Sequence, residues 1–159
     1  MDYDTQKAAR VWQRVQSEKQ DAVPAQRSDN LAAPILEQLQ LSAAYAQLAR
    51  QMQGKDGAVF MRLAREAKMQ AVCLKGIMTL MTGQSPDTGL GQQPGSPTAA
   101  MLRRCYGQEL RLLKEYESRR SDAEYGPVFE RLAGRCRDHC CILLEQIGAC
   151  GLKTYRRGE

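Results

Sequence analysis

The chain has 159 residues, 43% of them hydrophobic and 26% charged, with a formal net charge of +5. This length and composition fit one globular domain with an apolar core, and they exclude disordered and collagen-like chains. Residues 1–6 lack the basic and apolar regions of a signal peptide, and no apolar run is long enough to span a bilayer. We therefore expect a cytoplasmic protein whose six cysteines are reduced.

The basic residues are spread along the chain and include Arg103, Arg104 and residues 151–159, which we predict to form a basic tail. A basic surface can bind nucleic acid or an anionic membrane. However, the chain has only two Phe and one Trp, and it contains no recognised nucleic-acid signature. We interpret the charge as a solvated surface and expect neither a nucleic-acid nor a membrane partner.

Residues 1–22 are predicted to form an N-terminal amphipathic helix, followed by a linker at residues 21–30. The apolar side chains of this helix recur at helical spacing and form one stripe: Ala8, Val11, Trp12 and Val15. An isolated stripe needs a surface to pack on, either its own bundle or a second subunit. We therefore predict a homo-oligomer, most simply a dimer.

Two helices are predicted to form a first hairpin over residues 31–82. The first helix covers residues 31–52, and the second covers residues 58–82 with Gly83 placed to end it. A tight turn at residues 53–57 joins them, and so short a connection requires the two helices to pack antiparallel.

A second hairpin is predicted over residues 98–148. Ser96 is expected to cap the third helix, which extends to about Arg120, and Pro127 opens the fourth. Residues 83–97 are rich in Gly and Pro, and a segment of this length reaches up to about 50 Å when extended. This segment is predicted to cross the bundle rather than to separate two domains, because neither hairpin alone can bury its apolar seam.

The two hairpins share a sequence pattern. Residues 57–64 and 126–133 are identical at six of eight positions, at one fixed offset. In each half a polar residue also lies seven residues before a tyrosine, two turns along one helix face: Gln38 and Tyr45, then Glu109 and Tyr116. The chain is therefore predicted to be a duplicated hairpin, with residues 31–150 forming an all-α antiparallel four-helix bundle with one long crossover.

These patterns resemble the ferritin-like superfamily, most closely its rubrerythrin branch, over about residues 34–148. The resemblance rests on the doubled hairpins, on the polar residue seven before a tyrosine, and on a last helix whose His139 could close a Glu-x-x-His motif. Such families hold two metal ions, usually iron, between one Glu on each of two helices and a Glu-x-x-His on each of the others. The resemblance places the ligand positions of this chain at Gln38, Ala67, Gln70, Glu109, Cys136 and His139.

Only Glu109 and His139 match the ligand types of the family at these positions. A di-metal site buries four carboxylates, which are tolerable only when cations neutralise them, and this seam lacks three of the four. The remaining side chains can be satisfied without metal, because Gln38 can bond to Gln70 and Glu109 can pair with His139. We interpret these four residues as a polar layer at former ligand positions, with no cofactor.

An alternative interpretation uses two cysteines of the same seam. Cys105 lies one turn before Glu109, and Cys136 lies one turn before His139, so the four side chains could converge on one ion. Zinc, or ferrous iron, would accept two thiolates, an imidazole and a carboxylate in tetrahedral geometry.

The sequence therefore predicts a non-catalytic ferritin-like bundle that serves as a structural or interaction protein, with no catalytic residue assigned. The alternative function is a metal-binding redox protein, with either the mono-metal Cys/His/Glu site or a residual di-iron oxidase or peroxidase centre. The rubrerythrin resemblance also implies a neighbouring rubredoxin-like iron site, but this chain has no paired Cys-x-x-Cys motifs to form one.

Overall fold

The computed structural model describes residues 30–90 and 95–156, with side chains described up to Leu152. These residues form four helices and no strand: α1 (Ala32–Gln51), α2 (Gly54–Thr82), α3 (Thr98–Ser118) and α4 (Gly126–Arg156). The all-α four-helix prediction is confirmed, whereas the predicted N-terminal helix at residues 1–22 lies outside the described residues. None of the four helices is long and apolar enough, within these ranges, to cross a membrane.

The connection in the first hairpin is shorter than predicted. Because α2 begins at Gly54 instead of residue 58, the predicted turn at 53–57 is wrong, and only Met52 and Gln53 join the two helices. Gly54 has a φ of 67°, a left-handed conformation that glycine adopts without steric cost, and it stands at the start of α2 directly after this two-residue connection. At its other end α2 terminates as predicted at Gly83, which has a φ of 72°.

Two boundaries of the second hairpin also differ from the prediction. Pro97, not Ser96, occupies the N-cap position of α3, and no side chain caps the helix. Instead, the Thr98 hydroxyl donates to Oε1 of Gln51 at 2.9 Å and ties the start of α3 to the end of α1. α4 continues through residues 151–156 of the predicted basic tail, because no glycine of α4 adopts the positive φ that would end the helix earlier.

Packing is closest between α1 and α2 and between α3 and α4, and α1 also packs against α3. The largest fully buried side chains are aromatic: Tyr45, Tyr116, Phe60 and Phe129. Tyr45 packs on Phe60 with ring centroids 6.1 Å apart, and Tyr116 packs on Phe129 with ring centroids 6.2 Å apart. The two hairpins therefore contain the same aromatic contact at corresponding positions of their sequences.

A glycine with no room for a side chain lies in the first turn of α2 and another lies in the first turn of α4. A Cβ atom at Gly57 would collide with the carbonyl oxygen of Met52, and one at Gly126 would collide with that of Arg120. Both oxygens lie in the connection from the preceding helix, and both glycines open the segment that the two halves share. The close approach of the chain to itself at each hairpin therefore explains why glycine stands at both positions.

Replacing Gly57 or Gly126 with alanine is expected to lower the free energy of unfolding by about 1–3 kcal/mol, because the backbone must shift to admit the methyl group. Gly76→Ala on α2 is the matched control, since a Cβ atom there meets nothing within 4 Å. Alanine at that position should stabilise the helix by up to about 1 kcal/mol. Urea unfolding measures the stability of the three variants. Equal unfolding midpoints for Gly57→Ala and Gly76→Ala would show that the close approach at Gly57 does not require glycine.

Candidate functional site

A layer of polar side chains crosses the apolar core of the bundle. Gln38 and Tyr45 lie two turns apart on α1, and Glu109 and Tyr116 lie two turns apart on α3. All four side chains are fully buried. Their spacing keeps each pair on the face that meets the other helices, so their polar groups must find partners inside the bundle.

One side chain from each helix joins a continuous hydrogen-bonded chain within this layer. Tyr45 of α1 donates its hydroxyl to Oε1 of Glu109 on α3 at 2.6 Å. His139 of α4 contacts the same oxygen through Nδ1 at 2.8 Å, and it contacts Oε2 of Glu66 on α2 through Nε2 at 2.9 Å. Because the imidazole is only 1% exposed, the two carboxylates take the place of water around it.

The contacts of His139 with two carboxyl groups affect its pKa. A ring nitrogen that faces an ionised carboxylate acts as the donor, and only the imidazolium has two N–H groups. Burial opposes the positive charge, but the hydrogen bonds and negative charges of Glu109 and Glu66 outweigh it and raise the pKa of His139. The layer therefore places the imidazole of His139 between two carboxyl groups, in surroundings that favour its protonated form.

Glu66 is the member of this chain that the sequence analysis missed. The family resemblance assigns the neighbouring Ala67 as a ligand position, whereas the register of α2 brings Glu66 against His139. The Glu66 side chain is 21% exposed and also contacts Arg135 at 3.3 Å. Burial would raise the pKa of Glu66, but His139 and the nearby arginines outweigh burial and lower it. The sequence did carry a signal, because Glu66 and Asp56 are the only acidic residues of α2.

The remaining polar residues form a second, uncharged cluster. Gln38 donates its amide to Oε1 of Gln70 at 2.8 Å and to the Tyr116 hydroxyl at 3.0 Å. The structure thus contains both pairs expected from the sequence, the two glutamines and the carboxylate with the imidazole. The two clusters correspond position by position along the two halves of the chain: Gln38 with Glu109, Gln70 with His139, and Tyr116 with Tyr45.

The two cysteines considered as metal ligands are fully buried thiols. Burial, opposed by the charge of Arg104, raises the pKa of Cys105 to about 12. Burial and the negative charge of Glu109 raise the pKa of Cys136 well above its usual value. Both side chains are therefore protonated at neutral pH in this arrangement, whereas a cysteine that binds metal does so as the thiolate.

Within residues 30–90 and 95–156, no group of three or more His, Cys, Asp or Glu side chains is arranged to hold a metal ion. Three buried polar atoms of the layer have no hydrogen-bond partner: Gln38 Oε1, Gln70 Nε2 and Glu109 Oε2. Only the last is a carboxylate oxygen, and an amide nitrogen is a donor that does not bind cations. As arranged here, the residues do not fit the donor set that either metal hypothesis requires.

The charged chain reaches the surface at a cleft between α2 and α4. The cleft encloses about 870 Å³, and both Glu66 and Gln70 contribute to its lining. The contacts described above therefore connect the buried Tyr45 hydroxyl to a solvent-facing surface through Glu109, His139 and Glu66.

Comparisons of the chain with protein-family models, curated proteins and solved structures gave no match. The resemblance to ferritin-like proteins therefore rests on the residues of the chain itself.

We expect the stability of the protein to depend on pH through His139 and Glu66. Folding raises the pKa of His139 above its value of about 6.5 in the unfolded chain. The stabilisation that protonated His139 gives the fold is therefore complete below pH 6.5, and it is lost as the pH rises through the pKa of His139 in the folded protein. Stability should therefore fall by about 1.4 kcal/mol per pH unit above pH 6.5 until the raised pKa is reached. The pKa of Glu66 is lowered, so its stabilisation is lost on acidification, below its unfolded value of about 4.5.

Urea unfolding between about pH 6 and pH 7 tests the His139 contribution below the range in which thiols ionise. His139→Gln should remove the fall in stability with rising pH. Tyr116→Phe is the matched control, because it removes a buried hydrogen bond of the same layer without touching His139. If the stability of His139→Gln falls with rising pH as steeply as that of the wild type, a group other than His139 is responsible for the pH dependence.

Proposed function

We propose that this chain is a ferritin-like four-helix bundle in which a metal-free polar layer replaces the di-iron site. In this proposal it acts as a structural or interaction protein rather than as an enzyme. The observation that carries the proposal is the position of His139 between two carboxylates. A histidine that binds a metal ion does so through a ring nitrogen without a proton, and both nitrogens of His139 already face a carboxylate oxygen at hydrogen-bonding distance.

Pairs of contacts support an antiparallel, ferritin-like arrangement. An early residue of α1 meets a late residue of α3, since Gln38 bonds to Tyr116. A late residue of α1 meets the first residue of α3, since Thr98 bonds to Gln51. The two-residue connection between α1 and α2 favours a reversal of direction there as well. The corresponding contacts of the two clusters favour a duplicated hairpin as the origin of this plan.

The charges of the layer also support a metal-free state. Glu66 and Glu109 face one imidazolium, and Arg135 adds positive charge at the partly exposed end of the chain. Gln38 and Gln70 place neutral amides where the family has charged or imidazole ligands. Cations are therefore not needed to neutralise clustered carboxylates.

A second candidate function is a metalloprotein with a mono-metal site or a residual di-iron centre. The unpartnered Oε2 of Glu109 favours it, because buried carboxylate oxygens normally have partners. Binding of zinc or iron beside this oxygen by Cys105 and Cys136 would require both thiols to lose protons, and burial raises the pKa of both. This requirement places the metal hypothesis second.

An apolar stripe on the outer face of α2 supports the interaction role. Its side chains recur at helical spacing and are 40, 66, 55 and 76% exposed: Met61, Met69, Val72 and Leu80. Exposed apolar side chains that share one face of a helix can serve as a protein–protein contact. We propose that copies of this chain associate through the stripe, with the predicted helix at residues 1–22 as a second apolar element.

The metal-free proposal predicts the metal content of the purified protein. Protein prepared without chelator or affinity tag from cells supplied with iron and zinc should contain less than about a tenth of an equivalent of either metal, because the ligands are held protonated. About one zinc per chain that is lost in Glu109→Gln would contradict the proposal and favour the mono-metal site. Two irons per chain would contradict it and favour a di-iron centre.

Self-association predicts a mass in solution of about twice the 17.8 kDa chain. Replacing Val72 and Leu80 together with glutamate should return the mass to that of one chain, because two charges would be buried at the contact. Replacing the exposed Leu110 and Leu144 in the same way is the matched control and should leave the mass unchanged. Analytical ultracentrifugation distinguishes these outcomes, and a wild-type chain of single mass would overturn self-association.

A further inference from the structure

The cleft between α2 and α4 has the size and lining of a small-molecule site. Its volume of about 870 Å³ lies within the range of about 300–1,000 Å³ that is typical of ligand pockets. Its apolar walls include Met69 from α2 with Val128 and Leu132 from α4. Spaces between the helices of a bundle are a common location for such sites.

Two arginines at this cleft have no ionic partner within the described part of the chain. Arg65 and Arg131 both line the cleft and are exposed. A third arginine, Arg135, is already engaged with Glu66 at 3.3 Å. A guanidinium group presents parallel N–H donors that match the two oxygens of a carboxylate, so the free arginines are suited to that anion.

A buried amide forms part of the wall of the cleft. Gln70 is 6% exposed, and its Oε1 accepts from Gln38, which fixes the amide there. Its Nε2 is itself fully buried, so the arginines are the groups that face a molecule in the cleft.

From these contacts we propose that the cleft binds a small amphipathic monocarboxylate, of the class of medium-chain fatty acids. The carboxylate is held by Arg65 and Arg131, and the alkyl chain packs on the apolar walls. The lining contains three arginines and two acids, Glu66 and Asp138, which leaves one excess positive charge. One excess charge favours a monoanion over a dianion such as phosphate.

This site goes beyond the proposed structural role and can fail separately from it. The cleft shares Glu66 and Gln70 with the polar layer and Met69 with the apolar stripe of α2, but its arginines and its walls on α4 belong to neither. Metal content therefore tests the layer, and ligand affinity tests the cleft.

Gly134 offers a substitution that fills the cleft without disturbing the core. It lies in the lining on α4, and a Cβ atom built there meets nothing within 4 Å. Gly134→Leu therefore adds a side chain to open space and replaces a glycine inside a helix, which favours folding. The thermal unfolding temperature of this variant should be equal to or above that of the wild type.

The test uses the full chain and decanoate as the probe, with isothermal titration calorimetry below the concentration at which decanoate forms micelles. Decanoate should saturate at one molecule per chain, and decylammonium, with the same alkyl length and opposite charge, should bind at least about tenfold more weakly. Gly134→Leu should weaken decanoate binding by about tenfold or more while the chain stays folded.

Charge variants separate the arginines of the cleft from the net charge of the protein. Arg65→Gln with Arg131→Gln should weaken decanoate binding by about tenfold or more, because charge-assisted hydrogen bonds are lost. Arg50→Gln with Arg103→Gln removes the same charge from exposed sites on α1 and α3 and should leave the affinity unchanged. Equal weakening by both pairs would overturn the proposal.

Two other results would also overturn it. Equal affinity for decanoate and decylammonium would mean that apolar surface alone binds the probe. A change in the solution mass of Gly134→Leu, with decanoate affinity unchanged, would mean that the cleft is an interface between copies of the chain.

Discussion

The contact between the His139 imidazole and two carboxyl groups is the constraint on which the rest of this structure depends. It joins α2, α3 and α4 through Glu66, Glu109 and His139, and the Tyr45 hydroxyl adds α1. Every helix therefore contributes one side chain to a single hydrogen-bonded chain. A change in the rotation or register of any one helix would leave a buried charge without its partner.

The energetic consequences of such a chain are asymmetric. A buried ion pair adds little net stability compared with apolar residues of similar volume, because desolvation offsets the attraction. Removing one partner alone costs about 3–5 kcal/mol, because the other charge stays buried. The network therefore acts mainly by selecting one arrangement of four helices over alternatives that bury the same apolar surface. The uncharged cluster of Gln38, Gln70 and Tyr116 provides the same kind of connection without charge.

Features that depend on local chemistry could be predicted from the sequence, and features that depend on tertiary packing could not. The four helices follow from apolar periodicity, and the end of α2 follows from Gly83. In contrast, whether Glu66 or Ala67 faces His139 is a difference of about 100° of rotation around α2, which packing of the helices decides. The extension of α4 to Arg156 was missed because its glycines are compatible with both a helix and a helix end.

The polar layer and the cleft between α2 and α4 are two distinct regions of the structure. The polar layer is enclosed, and its hydrogen bonds are made mainly among its own residues. The cleft is open, and two of its arginines and one of its amide groups have no partner in the described chain. A structural role for the layer and ligand binding at the cleft are therefore compatible in one bundle, because they use different side chains apart from Glu66 and Gln70.

The most direct test of a metal-free layer is the protonation state of His139, which is the only histidine of the chain. Nitrogen-15 NMR of histidine-labelled protein gives one pair of ring resonances and reports each nitrogen separately. The account predicts an imidazolium with protons on both nitrogens at pH 7, unchanged when zinc or ferrous iron is added. A neutral ring at pH 7, or a ring nitrogen that loses its proton on addition of either metal, would contradict it.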